Sequence, residues 1–168
     1  MVLYVIMIIV GLLILSFVGC AHKLKSKFHK TKDAFRIYDE ALRKRWYSIP
    51  EFINIAKRHC QGMECEILKK IILLHNKSYD TMNWHKKMES DSSITKSIFE
   101  FLDLKRKNDN FEPDTDYEEV LKRFERMNEE LKTARNEYIE SVEDYNKLIK
   151  KFPWSEIAII WHFEEIDL

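Results

Sequence analysis

The hydrophobic pattern of this chain begins with one uninterrupted apolar run. From Met1 to Ala21 almost every side chain is apolar, and the first charged residue is Lys23. About 20 apolar residues at a rise of about 1.5 Å per residue span the ~30 Å hydrocarbon core of a bilayer. The run therefore predicts a transmembrane helix over residues 1–21.

The clearest helical stripe lies between residues 117 and 152. A large apolar or aromatic side chain recurs there every seven residues, and apolar residues fill most positions three and four further on. The series is Tyr117, Phe124, Leu131, Tyr138, Tyr145 and Phe152. This spacing predicts one core-facing helix of about 40 residues. A capping box at Thr115–Glu118 is predicted to start it, and Pro153 to end it.

Shorter stripes precede this helix. Apolar residues at helical spacing run over residues 35–56, and Pro50 interrupts them, so we expect a kink or a short break there. Gly62 predicts a bend before a further helix carrying apolar residues 67–84. The polar tract 89–93 predicts a connection, with Ser92 or Ser93 as the cap of a short helix around residues 98–104. Asn108, Asp109, Asn110, Pro113 and Asp114 predict the loop before the long helix.

These patterns predict an all-α fold. The chain has only 3 Gly and 3 Pro, well below the usual roughly 7% and 5%, and no segment shows strand alternation. We expect an N-terminal transmembrane helix followed by an antiparallel, four-helix-bundle-like arrangement of long helices over residues 33–168. The tail Trp154–Phe163 is apolar nearly all round. We expect it to pack on its own bundle or to be bound, for example in a homo-oligomer.

The positive charge after the apolar run predicts the orientation of the anchor. Residues 22–32 form a basic juxtamembrane segment with five lysines and no acid, and no lysine or arginine precedes the run. Such residues beside a span are retained in the cytoplasm. We therefore expect a single-pass protein of the cell membrane, with its N-terminus outside and its bundle domain cytoplasmic. The lysines, which set topology alone or also bind anionic lipid headgroups, are Lys23, Lys25, Lys27, Lys30 and Lys32.

A second interpretation of the run is an exported lipoprotein. The segment Phe17-Val18-Gly19-Cys20 resembles a lipobox, whose cysteine would be acylated. A secretory signal carries positive side chains before its apolar stretch, and this chain has none there. We therefore favour an uncleaved anchor. A lipoprotein acylated at Cys20, with an extracytoplasmic binding role, is the alternative.

Charge and composition narrow the classes of partner. The formal net charge of the chain is zero, but residues 33–168 carry 23 Lys and Arg against 28 Asp and Glu, a net charge of −5. A nucleic-acid-binding domain needs a clustered basic face, so no nucleic-acid partner is expected. The expected partners are the lipid bilayer and a protein of unknown identity. No small-molecule substrate is evident.

The sequence carries no motif of a known catalytic site. It has no phosphate-binding loop, dinucleotide fingerprint, nucleophile elbow or zinc-binding HExxH helix, and the acids of the long helix lack the Glu-x-x-His of di-metal bundles. On one continuous helix, Cys60 and Cys65 would point about 140° apart, which suits neither a shared metal nor a disulfide. We expect no metal, no cofactor and no enzymatic activity.

Two arginines, Arg45 and Arg135, are candidates for a structural or binding role. Arg135 lies at the edge of the long stripe, between Leu131 and Tyr138. Burying an unpaired charge is costly, so we expect Arg135 to have a carboxylate partner on another helix. A structural ion pair and a partner-binding role both remain open.

Two sets of residues resemble the signatures of the LemA family. Ala134-Arg135-x-x-Tyr138, followed by Val142-x-x-Tyr145-Asn146-x-x-Ile149-x-x-Phe152-Pro153, is similar to the C-terminal signature of that family. The segment Leu42-Arg43-Lys44-Arg45-Trp46-Tyr47-Ser48-Ile49-Pro50 is similar to its other hallmark, a basic pair followed by Ile-Pro. This chain departs from the family pattern at Ile139 and Glu51, where asparagine is usual.

The resemblance implies a bacterial, single-span bundle of long antiparallel helices with a short external N-terminus and no accepted enzymatic activity. Together with the anchor and the basic neck, it leads to the hypothesis of a non-catalytic scaffold or adaptor at the membrane. The resemblance gives a structural or partner-binding role to Arg45, Ile49, Pro50, Ala134, Arg135, Tyr138, Val142, Tyr145, Asn146, Phe152 and Pro153.

Overall fold

A computed structural model describes residues 1–108 and 112–167 of the chain, and these residues form helices without any strand. The structure is 85% helical, which confirms the all-α prediction. The elements are α1 (Val2–His59), α2 (Met63–His75), a 3₁₀ helix (Tyr79–Thr81), α3 (Trp84–Arg106), α4 (Thr115–Ile149) and α5 (Trp154–Ile160). The long N-terminal helix α1 packs against other helices as a bundle.

The chain divides into two compact units. The first unit combines Met1–Tyr38 with the chain from Thr133 onward, and the second unit is Asp39–Lys132. The helices α1 and α4 contribute residues to both units. Each unit has its own buried core, and each is described separately below.

The core of the first unit joins α1, α4 and α5. Its buried residues are Ala21, Leu24, Tyr145, Ile149, Ile157 and Ala158. Further along α1, the Thr31 hydroxyl is buried and donates a hydrogen bond of 3.1 Å to the backbone carbonyl of Ser141. Ser141 is the one polar residue in the heptad stripe, and its own hydroxyl donates to the Tyr138 carbonyl. Both hydroxyls are therefore satisfied inside the core.

The heptad stripe lies on the buried face of α4, as its spacing predicts. Its first five members are all buried, with exposed fractions between 0% and 9%. The helix ends at Ile149, three residues before the predicted end. Phe152 therefore falls outside the helix and is 80% exposed, so the interpretation of Phe152 as a core residue is wrong.

The start of α4 is capped by Asp114 and not by Thr115, which corrects the predicted capping box. The Asp114 carboxylate accepts a hydrogen bond of 2.8 Å from the backbone N–H of Tyr117, and the Asp114 carbonyl accepts from Glu118. The backbone bond to Tyr117 lowers the pKa of Asp114 below its ordinary value of 3.8, and the nearby His59 and Arg58 lower it further. Two residues of the predicted preceding loop, Asp109 and Asn110, lie outside the described residues.

This cap predicts a specific loss of stability in acid. Because the folded-state pKa of Asp114 is depressed, its contribution is complete above the unfolded-state pKa and is lost as the pH falls through the folded value. We expect Asp114→Ala to lower the thermal midpoint of the full chain in detergent at neutral pH. Asp114→Asn should retain most of the stability that the cap contributes, because asparagine is an equally good cap. This variant should not show the part of the stability that Asp114 loses in acid. Circular dichroism monitors the thermal unfolding. Equal thermal midpoints for the Ala and Asn variants would contradict the assignment of Asp114 as the cap of α4.

Pro50 neither breaks α1 nor ends it, since the helix continues to His59. Proline has no N–H, so the Trp46 carbonyl loses its usual intrahelical partner. In the second unit, Nε2 of His75 on α2 lies 3.1 Å from this carbonyl oxygen, and the imidazole stacks on the Trp46 ring at a centroid distance of 4.7 Å. The histidine thus supplies the donor that proline removes.

This arrangement predicts non-additive effects of two substitutions. His75→Ala should destabilise the second unit by about 1–3 kcal/mol, because the Trp46 carbonyl is left without a donor. In a Pro50→Ala background the restored N–H can bond the same carbonyl, so the cost of His75→Ala should be smaller. The four chemical denaturation midpoints of this double-mutant cycle measure the coupling. Strictly additive changes would show that the two residues do not share this carbonyl.

The segment between α2 and α3 differs from the predicted one. The second helix ends at His75, so residues 79–84 belong to a 3₁₀ turn and to the start of α3. The polar tract 89–93, predicted as a connection, lies inside α3, whose cap is Asn83 accepting from the N–H of Lys86. Asp91 in this tract is buried against another helix, which explains why a polar stretch is helical here.

Candidate functional site

The first candidate site is the apolar start of α1. By length and composition, the described residues contain one helix that can cross a membrane, and none of the residues in its most apolar part is buried. The side chains of Leu3 to Val10 are 48–72% exposed. The burial pattern changes at Ala21 and Leu24, which are 5% and 0% exposed and belong to the core of the first unit. The same helix is thus apolar and exposed at its start, and forms core from Ala21 onward.

The five juxtamembrane lysines follow this boundary along the next three turns of α1. Lys27 forms an ion pair of 2.7 Å with Asp144 on α4, and this bond lowers the pKa of the Asp144 carboxyl. The ammonium of Lys23 lies 5.2 Å from the Trp154 ring centroid, and that of Lys32 lies 4.5 Å from the Phe28 centroid. Lys23, Lys25, Lys30 and Lys32 are exposed, so most of the predicted positive charge faces outward.

The second candidate site is the buried Arg45 in the second unit. Arg45 is 4% exposed, and its guanidinium joins α1 to α3 and α4. Nε donates to Asp91 at 2.9 Å and the NH2 group donates to Thr95 at 2.7 Å, while a second contact to Asp91 makes the pair bidentate. NH1 donates to the side-chain oxygen of Asn128 on α4. The charge of Arg45 is therefore fully partnered.

Burial and pairing act on Asp91 in opposite directions. Desolvation raises the pKa of the Asp91 carboxyl above its ordinary value, and the attraction and hydrogen bonding of Arg45 oppose that rise. A buried pair of this kind contributes less to net stability than its short contacts suggest. Either partner alone would be costly to bury, so separating α1 from α3 at this point would be unfavourable.

Arg135 does not behave as predicted. It is exposed, and no described carboxylate forms an ion pair with it. The adjacent stripe positions Ala134 and Tyr138 are 6% and 8% exposed, so the buried edge of α4 ends before Arg135. The expected desolvated ion pair is found at Arg45 instead.

The C-terminal family signature holds the tail of the chain. The Tyr145 hydroxyl donates to the Glu164 carbonyl at 3.0 Å, and Asn146 both accepts from the N–H of Ile166 and donates to the Ile166 carbonyl. The side-chain amide of Asn146 thus pairs with both the N–H and the carbonyl of one tail residue, Ile166. Val142 is fully buried beside them. These motif residues have a positioning role that the sequence alone did not indicate.

A second buried ion pair closes the turn between α1 and α2. Lys105 of α3 is 3% exposed, lies 2.5 Å from the Glu64 carboxylate, and also donates to the His59 carbonyl at the end of α1. The same carboxylate accepts from the backbone N–H of Gln61. At Gly62 the chain turns with φ of 54°, a conformation that favours glycine. The bend predicted at Gly62 is confirmed.

The cysteines flank this turn. Because α1 ends at His59 and α2 begins at Met63, Cys60 and Cys65 do not lie on one continuous helix. The predicted angle of about 140° between them therefore does not apply. Burial raises the pKa of the Cys60 thiol, and its hydrogen bond with Cys65 raises it further. Within residues 1–108 and 112–167, no three His, Cys, Asp or Glu side chains gather as a metal site would require.

The two family signatures lie in different units. Arg45, Ile49 and Pro50 belong to the second unit, and the signature from Ala134 to Pro153 belongs to the first. Ile49 is buried, whereas Pro50 is exposed at a groove of about 430 Å³ beside Trp46 and Tyr79. Sequence reasoning missed Asp91, Glu64 and Lys105. Asp91 and Lys105 stand at the two ends of the apolar stripe of α3, which is the signal that would have found them.

Taken together, the molecule is an all-α helical bundle that carries an anchor-type apolar helix at its start. The family model of the LemA family matches residues 34–168, which is most of the chain. The chain belongs to the LemA family. No curated protein matches it.

Proposed function

We propose that this protein is a non-catalytic, single-pass membrane-anchored bundle that acts as a scaffold or adaptor for a protein partner. One observation carries the proposal. The helix that would cross the bilayer continues without interruption into the core-forming part of α1. If the run is retained as an anchor, one continuous helix joins it to the bundle and would hold the bundle at the membrane surface.

The arrangement of charge supports an orientation with the bundle in the cytoplasm. The exposed lysines directly after the apolar run favour cytoplasmic retention of this end, and they also attract anionic headgroups at about 1 kcal/mol each near the surface. The net charge of −5 on residues 33–168 disfavours broad contact between the bundle and such a surface, which leaves most of the bundle accessible. The bundle would thus be presented toward a partner.

Topology is tested by labelling single cysteines in intact cells. Cys20, Cys60 and Cys65 are replaced by serine or alanine, and a cysteine is placed at the exposed Lys96 of α3 or, as an external control, inserted directly after Met1. A membrane-impermeant maleimide should label the Lys96→Cys variant only after lysis, and it should label the cysteine inserted after Met1 in intact cells. Labelling of Lys96→Cys in intact cells would contradict the cytoplasmic placement.

Mass spectrometry of the mature N-terminus separates this proposal from the lipoprotein alternative. An uncleaved anchor gives peptides that begin at Met1 or directly after it. An acylated Cys20 at the new N-terminus would overturn the anchor and place the bundle outside the cytoplasm. A metal-dependent enzyme would require stoichiometric metal on the purified protein, which we do not expect.

The scaffold role itself is tested with photo-crosslinking in native membranes. A photoreactive residue is placed at exposed positions of the second unit, including Pro50 at its groove, and matched chains carry it at exposed positions of the first unit. An adaptor at the membrane is supported when a partner is crosslinked from one set of positions only. The same crosslink should be lost when the apolar run is exchanged for a cleaved leader. Uniform crosslinking to bulk protein contradicts it.

A further inference from the structure

The C-terminal end of α5 exposes a cluster of large apolar side chains. Ile159 is 71% exposed, Ile160 is 60% exposed and Trp161 is 50% exposed, although they follow one another in sequence. Single exposed apolar residues are common in water, whereas a contiguous group marks a surface that contacts something apolar. The tail prediction is therefore half confirmed: Ile157 and Ala158 are buried on the bundle, and the next three residues are not.

The position of this cluster in the first unit indicates what it contacts. The buried face of α5, formed by Ile157 and Ala158, shares one core with Ala21 and Leu24 of α1. Cys20, near the end of the apolar run, packs against the same core. The exposed side of α5 therefore lies at the level where the apolar run ends and the lysines begin.

The tail is fixed at this level from several sides. Phe163 packs against Phe28 with a centroid distance of 5.4 Å, and Lys150 pairs with Glu165 at 2.8 Å. The two hydrogen bonds between Asn146 and the backbone of Ile166 hold the chain beyond α5. The exposure of the apolar cluster is thus built into the packing of the unit.

We propose that Ile159, Ile160 and Trp161 insert into the interfacial layer of the bilayer beside the anchor helix, giving the bundle a second membrane contact. This inference rests on the proposed anchoring through α1. Tryptophan favours the membrane–water interface, and a short apolar face that lies in that layer is stabilised by the apolar area it buries there. The proposed occupant of this surface is lipid, because α5 shares its core with Cys20 and Ala21, which stand at the end of the apolar run.

The polar groups around α5 fit this placement. Lys23 extends over the Trp154 ring, and a lysine at this depth can cover apolar surface with its stem while its ammonium reaches the headgroups. Glu156 is exposed one turn before Ile160, which confines the inserted part to the C-terminal end of α5. The carboxylate then remains at headgroup level.

The test uses the full chain in vesicles of phosphatidylcholine and phosphatidylglycerol. Cys20 is replaced by alanine, Cys60 and Cys65 by serine, and an environment-sensitive fluorophore is attached to Ile160→Cys. Lipids brominated near the glycerol end of their chains should quench this label at least about twofold more than a label on Asn136→Cys, an exposed site on α4 of the same unit. The apolar run itself is probed with Leu13→Cys.

The outcomes separate this inference from the anchor. Quenching at both positions 13 and 160 supports both. Quenching at 13 with position 160 no more quenched than position 136 overturns the inference and leaves the anchor standing. Loss of quenching at 13 overturns the anchor. A second copy of the chain covers the surface if the label at 160 is shielded from water but not quenched by lipid, and if this shielding depends on the protein-to-lipid ratio. That result also overturns the inference.

Discussion

Replacing Arg45 with methionine should lower the free energy of unfolding of the second unit by about 3–5 kcal/mol. The substitution leaves Asp91 buried without the cation that opposes its desolvation. It also removes donors from Thr95 and Asn128. Denaturant titration of the full chain in detergent, followed by circular dichroism, measures the change.

Two further variants identify the cause of this loss. Adding Asp91→Leu to Arg45→Met removes the unpaired carboxylate, so a large part of the lost stability should return, since apolar replacements of a buried pair are often neutral or better. Arg135→Met is the matched control, because Arg135 is the other motif arginine and is exposed. Its effect should stay within about 0.5 kcal/mol. Similar losses for the two arginines, or no recovery in the double variant, would contradict a buried ion pair at Arg45.

The contrast between these arginines shows what the sequence could and could not predict. Arg135 was assigned a buried partner because it adjoins the stripe of α4, but the width of the buried face depends on how closely neighbouring helices approach it. Arg45 lies within the buried stripe of α1, where side chains of both α3 and α4 contact it. Periodicity gives the centre of a buried face, and only packing defines its edges.

The same distinction explains the error in α3. The stripe of α4 was predicted correctly because its apolar side chains dominate every turn. In α3 the tract 89–93 is polar, and cap-forming serines favour a loop in isolation. Inside the fold, Asp91 is buried by pairing with Arg45, and the Ser97 hydroxyl donates back to the Ser93 carbonyl. The tertiary partner of Asp91 decides the conformation of this tract, and that partner, Arg45, is 46 residues away in sequence.

The tail shows a different limit. Its apolar composition predicted burial, but the helix is only seven residues long and can bury one side. The Asn146 amide, which sets the position of the chain beyond it, is recognised only when its backbone partner is known. The candidate site at the membrane was therefore foreseen in the apolar run and its lysines, while the second apolar surface was not.

Replacing Lys105 with methionine should also lower the free energy of unfolding of the second unit by about 3–5 kcal/mol, because it leaves the Glu64 carboxylate buried without its cation. Glu64 is 6% exposed. The His59 carbonyl at the end of α1 loses a donor in the same step. The loss should appear as a lower denaturation midpoint of the full chain and as faster proteolysis at the turn around Gly62.

The variant Glu64→Gln tests whether charge is responsible. A glutamine oxygen can still accept from the Gln61 N–H, which the carboxylate does at 3.0 Å, so the turn keeps its cap while the unpaired charge disappears. In the Lys105→Met background, Glu64→Gln should therefore raise the midpoint, although it should lower it when Lys105 is present. Lys96→Met, at an exposed position of the same helix, is the control and should change stability by less than about 0.5 kcal/mol. If Glu64→Gln lowers the midpoint equally in both backgrounds, Lys105 and Glu64 do not act as a buried pair.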